Sequence, residues 1–161
     1  MIAPMNADYA AQIAGWTYEG AYAVYSFSHN EDAVRELMNG EYTACLSPRG
    51  DLTGFFCFGL SARIPAAEAD AYAPDMPDIG LGMKPSLCGR GNGAAFVRSG
   101  LEFAKARFHS RQIRLTVAAW NARAIRTYEK LGFRMQKSIT HRKSRQEFFI
   151  MIYTEESEET P

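Results

Sequence analysis

Residues 78–94, DIGLGMKPSLCGRGNGA, decide the fold. The segment Asp78 to Met83 predicts a strand. From Gly93 onward Ala94, Val97, Leu101, Ala104 and Phe108 recur at spacings of three and four, while Arg98, Glu102 and Lys105 take the opposite side, the signature of an amphipathic helix. Between them Gly89, Gly91 and Gly93 form a turn. Glycines reach backbone angles closed to other residues and let a phosphate approach the chain, and the free N–H groups of a first helical turn favour an anion. Strand, glycine turn and helix start therefore make an anion-binding arrangement. Plain tight turns use the same glycines, so the loop alone leaves both readings open. No lysine followed by Ser or Thr ends it, which excludes a P-loop, and GxGxG past the midpoint of the chain does not fit a dinucleotide fingerprint.

On the N-terminal side, Ala66 to Pro77 is small, acidic and proline-punctuated and reads as a loop. Before it, the apolar runs Tyr42 to Leu46 and Gly54 to Leu60 flank SPRGD, whose Pro48 and Gly50 are turn residues, predicting a hairpin. A helix over Ala7 to Ala14 follows the N-cap Asn6, and a short one spans Asn30 to Met38 with Glu31 and Asp32 near its start. Between them lies an irregular or helical stretch rich in aromatics: Trp16, Tyr18, Tyr22, Tyr25 and Phe27.

On the C-terminal side, Ile113 to Ala119 reads as a buried strand and Ala122 to Leu131 as a helix with Asn121 at its N-cap and Gly132 at its stop. Phe133 to Thr140 and Phe148 to Tyr153 read as a closing pair of strands. Strands interleaved with helices predict an α/β or α+β domain with a mixed sheet. One domain is expected over residues 1–154, followed by an acidic tail, 155–161, that is expected to fray.

Composition narrows the partners. Of 161 residues, 47% are apolar and 22% charged, which is ordinary for a folded domain. Eighteen basic side chains balance eighteen acidic ones, so no net positive field favours nucleic acid. Neither a signal-type start nor a membrane-length apolar run is present, and the expectation is a cytoplasmic protein with no membrane partner. Cys45, Cys57 and Cys88 lack CxxC spacing, and His29, His109 and His141 lie far apart, so no disulfide framework and no metal are expected.

Residues 117–134, VAAWNARAIRTYEKLGFR, add the second half of a pattern. With the glycine loop, this stretch resembles the GNAT superfamily of N-acetyltransferases. Their acetyl-CoA loop runs Gln or Arg, two residues, Gly, one residue, Gly or Ala. A later strand is followed by Asn, a short helix containing Tyr, and Leu-Gly-Phe. Here the loop is Cys88-Gly89-Arg90-Gly91-Asn92-Gly93, and the later motif is Asn121, Ala124, Tyr128, Glu129, Lys130, Leu131, Gly132 and Phe133. The similarity is carried by Asp78 to Arg134, and its pattern is closest to the ribosomal-protein-alanine-acetyltransferase-like kind. It implies a mixed, mostly antiparallel twisted sheet of about six to seven strands flanked by about four helices. Cys88 departs from the family's Gln or Arg.

The resemblance also implies site residues. Acetyl-CoA is the expected co-substrate, held by Cys88, Gly89, Arg90, Gly91, Asn92, Gly93 and Ala94 of the loop, with Arg90 supplying charge. Asn121 is a cofactor contact or simply an N-cap. Backbone N–H groups around Leu81, Gly82 and Met83 would meet the acetyl carbonyl, because in this family the strand before the loop splays from its neighbour and frees them, an irregularity with which Gly80 and Gly82 are compatible. Tyr128 would be general acid beside the sulfur, or a helix tyrosine packed in the core. Asp78 is the leading carboxylate for a general base, ahead of Glu68, Asp70 and Asp75, with a water chain as the alternative. The N-terminal aromatics are candidate walls for the amine, a small molecule or a peptide or protein N-terminus or lysine, although aromatics at such spacing more often fill a core. Rival readings are a non-catalytic acyl-CoA-binding domain and a partner-binding α/β domain, and a homodimer is compatible with each.

Overall fold

The computed structural model describes residues 1–27 and 31–156. Asn30 of the second expected helix and residues 157–161 of the tail lie outside them. Among the described residues, seven strands and four α-helices occur in the order β1 (Ile2–Pro4), α1 (Ala7–Ala14), α2 (Glu31–Leu37), β2 (Tyr42–Leu46), β3 (Leu52–Phe58), β4 (Ile79–Met83), α3 (Gly93–Phe108), β5 (Gln112–Ala118), α4 (Ala122–Lys130), β6 (Phe133–Thr140) and β7 (Glu147–Thr154). The aromatic stretch before α2 contains a 3-10 turn, Gly20–Tyr25.

The strands divide into two antiparallel sheets, β1-β2-β3-β4 and β5-β7-β6. The mixed character expected from sequence resides in one parallel pairing among the described residues, Asp78 with Arg114, where β4 leads away from β5. Beyond that point the sheets part, and the gap between them is the cleft described below.

Three apolar clusters hold this arrangement. Val97, Leu101 and Ala104 of α3 pack with Phe56, Ile79, Leu115 and Tyr128 on one face of both sheets. Ile13 of α1 and Leu37 of α2 pack with Trp16, Tyr42 and Phe55 on the other face of the first sheet. Beneath residues 63–77, Ala71 covers Ile139, Phe148 and Ile150 of the second. Burying each large side chain contributes about 1.5–3 kcal/mol, so these clusters are the main force joining the layers.

Two strand readings are corrected. The hairpin's second strand begins at Leu52, paired with Leu46, and ends at Phe58, because Gly59 takes a φ of 66° and turns the chain before Leu60. Gly80 and Gly82 introduce no irregularity into the β3 ladder, whose register is unbroken, and the splay lies on the β5 side beyond the Asp78–Arg114 pairing. They make room instead: a Cβ on Gly82 would run into the Phe55 ring.

Candidate active site

The parted strands enclose a cleft of about 360 Å³ lined by β4, β5, the glycine loop, α4 and the N-terminal tyrosines. Alternation along β4 sets which backbone groups enter it. Lys84 N–H donates to the Thr53 carbonyl across the β3 ladder. In an antiparallel ladder, every second residue turns both of its polar groups toward the partner, so Gly82 and Gly80 face β3 and Leu81 and Met83 face the cleft. Of the three amides expected at the acetyl carbonyl, Gly82 is thereby removed.

At the wider end lie Gly89 and Gly91, with φ of 72° and 80°, a left-handed conformation that glycine adopts without strain. A Cβ at Gly91 would meet nothing within 4 Å, so the loop has open space before it. The helix that follows is uncapped: Asn92 makes no side-chain cap, its amide donating to the Leu87 carbonyl at 3.2 Å. By contrast Asn6 caps α1 through Tyr9 N–H at 2.8 Å, and Asn121 caps α4 through Ala124 N–H at 3.3 Å. The first-turn N–H groups of α3 thus remain free, which fits a phosphate-bearing cofactor.

Tyr128, on α4, is 8% exposed, and its ring packs 5.9 Å from Phe133. Among the described residues its hydroxyl has no hydrogen-bond partner, and the residue lines the cleft. Burial, then the nearby Tyr25 phenol, pushes its pKa upward, so it holds its proton through neutral pH. The ring is packed as the core reading expects, and the residue also lines the cleft. Asn121 is spent at both ends, capping α4 and donating to Tyr25 Oη at 3.1 Å.

Tyr18, Tyr22 and Tyr25 form the remaining wall. Tyr22 meets Trp120 edge-on at 5.2 Å and lies under the Arg123 guanidinium at 4.6 Å. Tyr18 donates its hydroxyl proton to the Met83 carbonyl at 2.7 Å. Trp16 and Phe27 do not join them. Both pack on Phe55 in the core, with ring centroids at 6.4 and 5.8 Å.

Asp78 is placed elsewhere than a general base requires. It is 1% exposed and is not among the residues lining the cleft. Its Oδ1 accepts from Arg114 Nε at 2.6 Å, and its Oδ2 accepts from Arg114 Nη2 and Arg63 Nε, both at 2.9 Å. A carboxylate so engaged has no lone pair aimed at an incoming amine, and removing it would leave Arg114 buried and unpaired at a cost of about 3–5 kcal/mol. The other candidates are also outside the cleft. Glu68 accepts from Thr140 N–H, which holds its pKa down, Asp75 pairs with Arg63, and Asp70 is exposed.

Leu81, Met83, Cys88, Gly89, Gly91, Gly93, Asn121 and Tyr128 come together around the cleft, whereas the side chains of Arg90, Asn92 and Ala94 are not part of its lining. Cys88 turns its thiol back onto the chain, 3.6 Å from the carbonyls of Met83 and Lys84. Burial raises its pKa, with Arg123 opposing, so it stands as a protonated brace rather than a nucleophile. The cation that sequence reasoning missed is Arg123, whose Nη1 lies 3.2 Å from where a Cβ on Gly89 would stand. It lies two residues after Asn121 of the second motif, and its one available signal was a position opening α4. Among the described residues no cluster of three or more His, Cys, Asp or Glu side chains is placed to hold a metal, and no helix is long and apolar enough to cross a membrane.

Comparison with known proteins matches this geometry. The acetyltransferase (GNAT) family model matches residues 10–133. No curated protein matches. Among solved structures, an acetyltransferase (GNAT family) from Bacillus anthracis superposes with a TM-score of 0.72 at 16% identity, covering 97% of this chain and 95% of that one. AAC(6')-Ib in complex with paromomycin and acetyl-CoA gives 0.72 at 19%, covering 96% and 92%. A spermidine N-acetyltransferase SpeG chimera from Vibrio cholerae and hSSAT gives 0.69 at 16%, covering 96% and 95%. At these identities the likeness is one of fold, and it does not single out the ribosomal-protein-alanine subtype. The match over residues 10–133, which takes in both the glycine loop and the Tyr128 helix, establishes that the chain belongs to the GNAT family of acetyltransferases.

Proposed function

We propose that this acetyltransferase takes the acetyl group of acetyl-CoA and passes it to a primary amine by direct attack in a ternary complex. The observation that carries the proposal is the meeting, in one cleft, of the outward-facing Leu81 and Met83 amides with the unpartnered Tyr128 hydroxyl. Acetyl-CoA supplies the thioester carbonyl as electrophile. The glycine loop and the uncapped start of α3 bind its phosphates, with Arg123 adding the positive charge that Cys88 does not. The Leu81 and Met83 N–H groups point at the site where negative charge develops on the carbonyl oxygen, and positioned donors of this kind supply the largest share of such catalysis. As the C–N bond forms and the C–S bond breaks, Tyr128 donates its hydroxyl hydrogen toward the departing sulfur. No carboxylate or imidazole lines the cleft among the described residues, so the amine's proton leaves through water.

The tyrosine wall receives the acceptor. Two of the structural neighbours bear on its class, one named a spermidine N-acetyltransferase and one bound to paromomycin, and both support an amine acceptor for this chain. A small-molecule amine is favoured over a peptide or protein amine by that comparison. The free, unbridged Cys45, Cys57 and Cys88 agree with a cytoplasmic setting.

Isothermal titration with acetyl-CoA tests the proposal, run on the parent and on Gly91→Trp, which fills the open space before the loop. Binding by the parent and loss of at least about 100-fold in the variant is the expected pair of results. A folded parent that does not bind acetyl-CoA would overturn the reading.

A further inference from the structure

We propose that Tyr18 and the Asp78–Arg114 ion pair are positioning residues for this cleft: the pair anchors β4 to β5 at the apex, and Tyr18 holds the open end of β4 so that its free edge presents N–H donors. The inference rests on the reading of Leu81 and Met83 as donors to the acetyl carbonyl.

At the apex, backbone and side chains join the same two residues. Arg114 N–H donates to the Pro77 carbonyl at 2.9 Å in the parallel pairing of Asp78 with Arg114. Their side chains, each 1% exposed, meet in a two-pronged pair at 2.6 and 2.9 Å. Arg114 Nη1 also donates to the Pro74 carbonyl at 2.9 Å, and the Tyr72 ring lies 5.1 Å from its guanidinium and 4.9 Å from that of Arg63. A buried ion pair is weak evidence of a stability function, because apolar residues of similar volume often serve a fold as well or better. What such a pair does supply is direction. A planar fork on a carboxylate fixes distance and rotation together, and here it does so at the point from which the two strands diverge.

At the open end the requirement is different. A residue facing away from β3 turns both its N–H and its C=O into the cleft, and a carbonyl oxygen there would repel the negative charge that the amides are placed to stabilise. The Met83 carbonyl is the one nearest the mouth, and it is covered by the Tyr18 hydroxyl at 2.7 Å and by the Cys88 thiol at 3.6 Å. With that oxygen engaged, Met83 presents its N–H to the cleft, whereas Leu81 presents both its N–H and its carbonyl. Tyr18 is 65 residues from Met83 in sequence, so this bond also ties the N-terminal aromatic wall to the strand it faces.

Two variants test the inference: Tyr18→Phe, which removes one oxygen and keeps the ring, and the double substitution Asp78→Leu with Arg114→Met, which removes the charges and keeps the volume. For each, thermal midpoint, kcat, KM and the dissociation constants of acetyl-CoA and CoA are measured. CoA lacks the acetyl carbonyl, so it reports every part of the cleft except the contact in question. A folded variant is expected to bind CoA within about twofold of the parent, while its preference for acetyl-CoA over CoA falls about threefold to tenfold and kcat falls about tenfold with a smaller change in KM, the pattern of a donor misplaced in the transition state. An unchanged acetyl-CoA preference and kcat in folded Tyr18→Phe would overturn the role of Tyr18. Unfolding of the double variant would assign the pair to the fold alone and overturn its positioning role. A parent that binds neither ligand would instead sink the acetyltransferase reading beneath both.

Discussion

The two sides of the cleft are built by different means. The side formed by the glycine loop, α3 and α4 relies on backbone: positive-φ glycines, an uncapped helix start and two β4 amides, with Tyr128 three residues before its helix-ending Leu131. The tyrosine side relies on contacts between residues distant in sequence, Tyr18 to Met83 over 65 residues and Tyr25 to Asn121 over 96. A cofactor with fixed chemistry can be held by backbone donors, which tolerate wide change in side chains. An acceptor is selected by side chains, which reach the cleft here from a segment that has no regular secondary structure beyond one 3-10 turn. The bridge between the two sides is Arg123, which stacks on Tyr22 and leans on Gly89.

If the backbone side performs the chemistry, the largest effect of a single-atom change falls on Tyr128. Tyr128→Phe is expected to lower kcat by about 100-fold or more while leaving the dissociation constant of acetyl-CoA within about twofold, because only the proton donor is lost. Steady-state kinetics beside a binding titration checks this, and equal turnover would end the role assigned to that hydroxyl. A smaller effect is expected at the bridge. Arg123→Ala should weaken acetyl-CoA about tenfold, the scale of one charge-assisted hydrogen bond, yet leave the affinity of an S-acetyl pantetheine lacking the pyrophosphate unchanged. Equal weakening of both ligands would mean that Arg123 supports the tyrosine wall and not the phosphates.

The smallest effect near neutrality, and the one that treats both sides alike, is alkaline loss of stability. Burial is the leading cause that raises the phenols of Tyr18, Tyr42 and Tyr128, and it pushes the Cys57 thiol up to about 12. In each case the folded state keeps a proton that the unfolded chain releases at lower pH, so the contribution to stability is complete below about pH 9 and is lost as pH climbs through the raised values. The thermal midpoint should be flat from pH 7 to about 9 and then fall. Phenolate absorbance should rise together with unfolding, and a rise well before unfolding would show these tyrosines to be open to solvent. Turnover should show no descending limb assignable to Tyr128 below about pH 10.

How much of this was legible depended on how local each signal was. Asn6 and Asn121 mark helix starts that the structure keeps, with both caps formed, and Phe133–Thr140 runs as the sequence pattern predicts. The strand Ile2–Pro4 escaped notice because three residues carry no periodicity and its pairing partner, β2, lies forty residues on. The aromatic stretch Trp16 to Phe27 could be named as a wall but not divided, since nothing local separates Tyr18, Tyr22 and Tyr25, which reach the cleft, from Trp16 and Phe27, which fill the core. Arg90 was the natural choice for a compensating charge by its place in the loop. The side chain that faces the loop instead is Arg123, brought there by the packing of α4 against α3.

The glycine loop, the helix that follows it, and the placing of Asn121 and Tyr128 on a capped helix could be read from sequence alone, because turn geometry, capping and helical spacing act over a few neighbouring residues. Long-range packing is what pairs Asp78 with Arg114 in place of an open carboxylate, turns the amides of Leu81 and Met83 and not Gly82 to the cleft, and closes Tyr18 over the Met83 carbonyl. Each of these depends on which strand or segment lies alongside, through an ion pair across 36 residues, a ladder register and a hydrogen bond across 65, and such pairings are set by the packing of the whole chain.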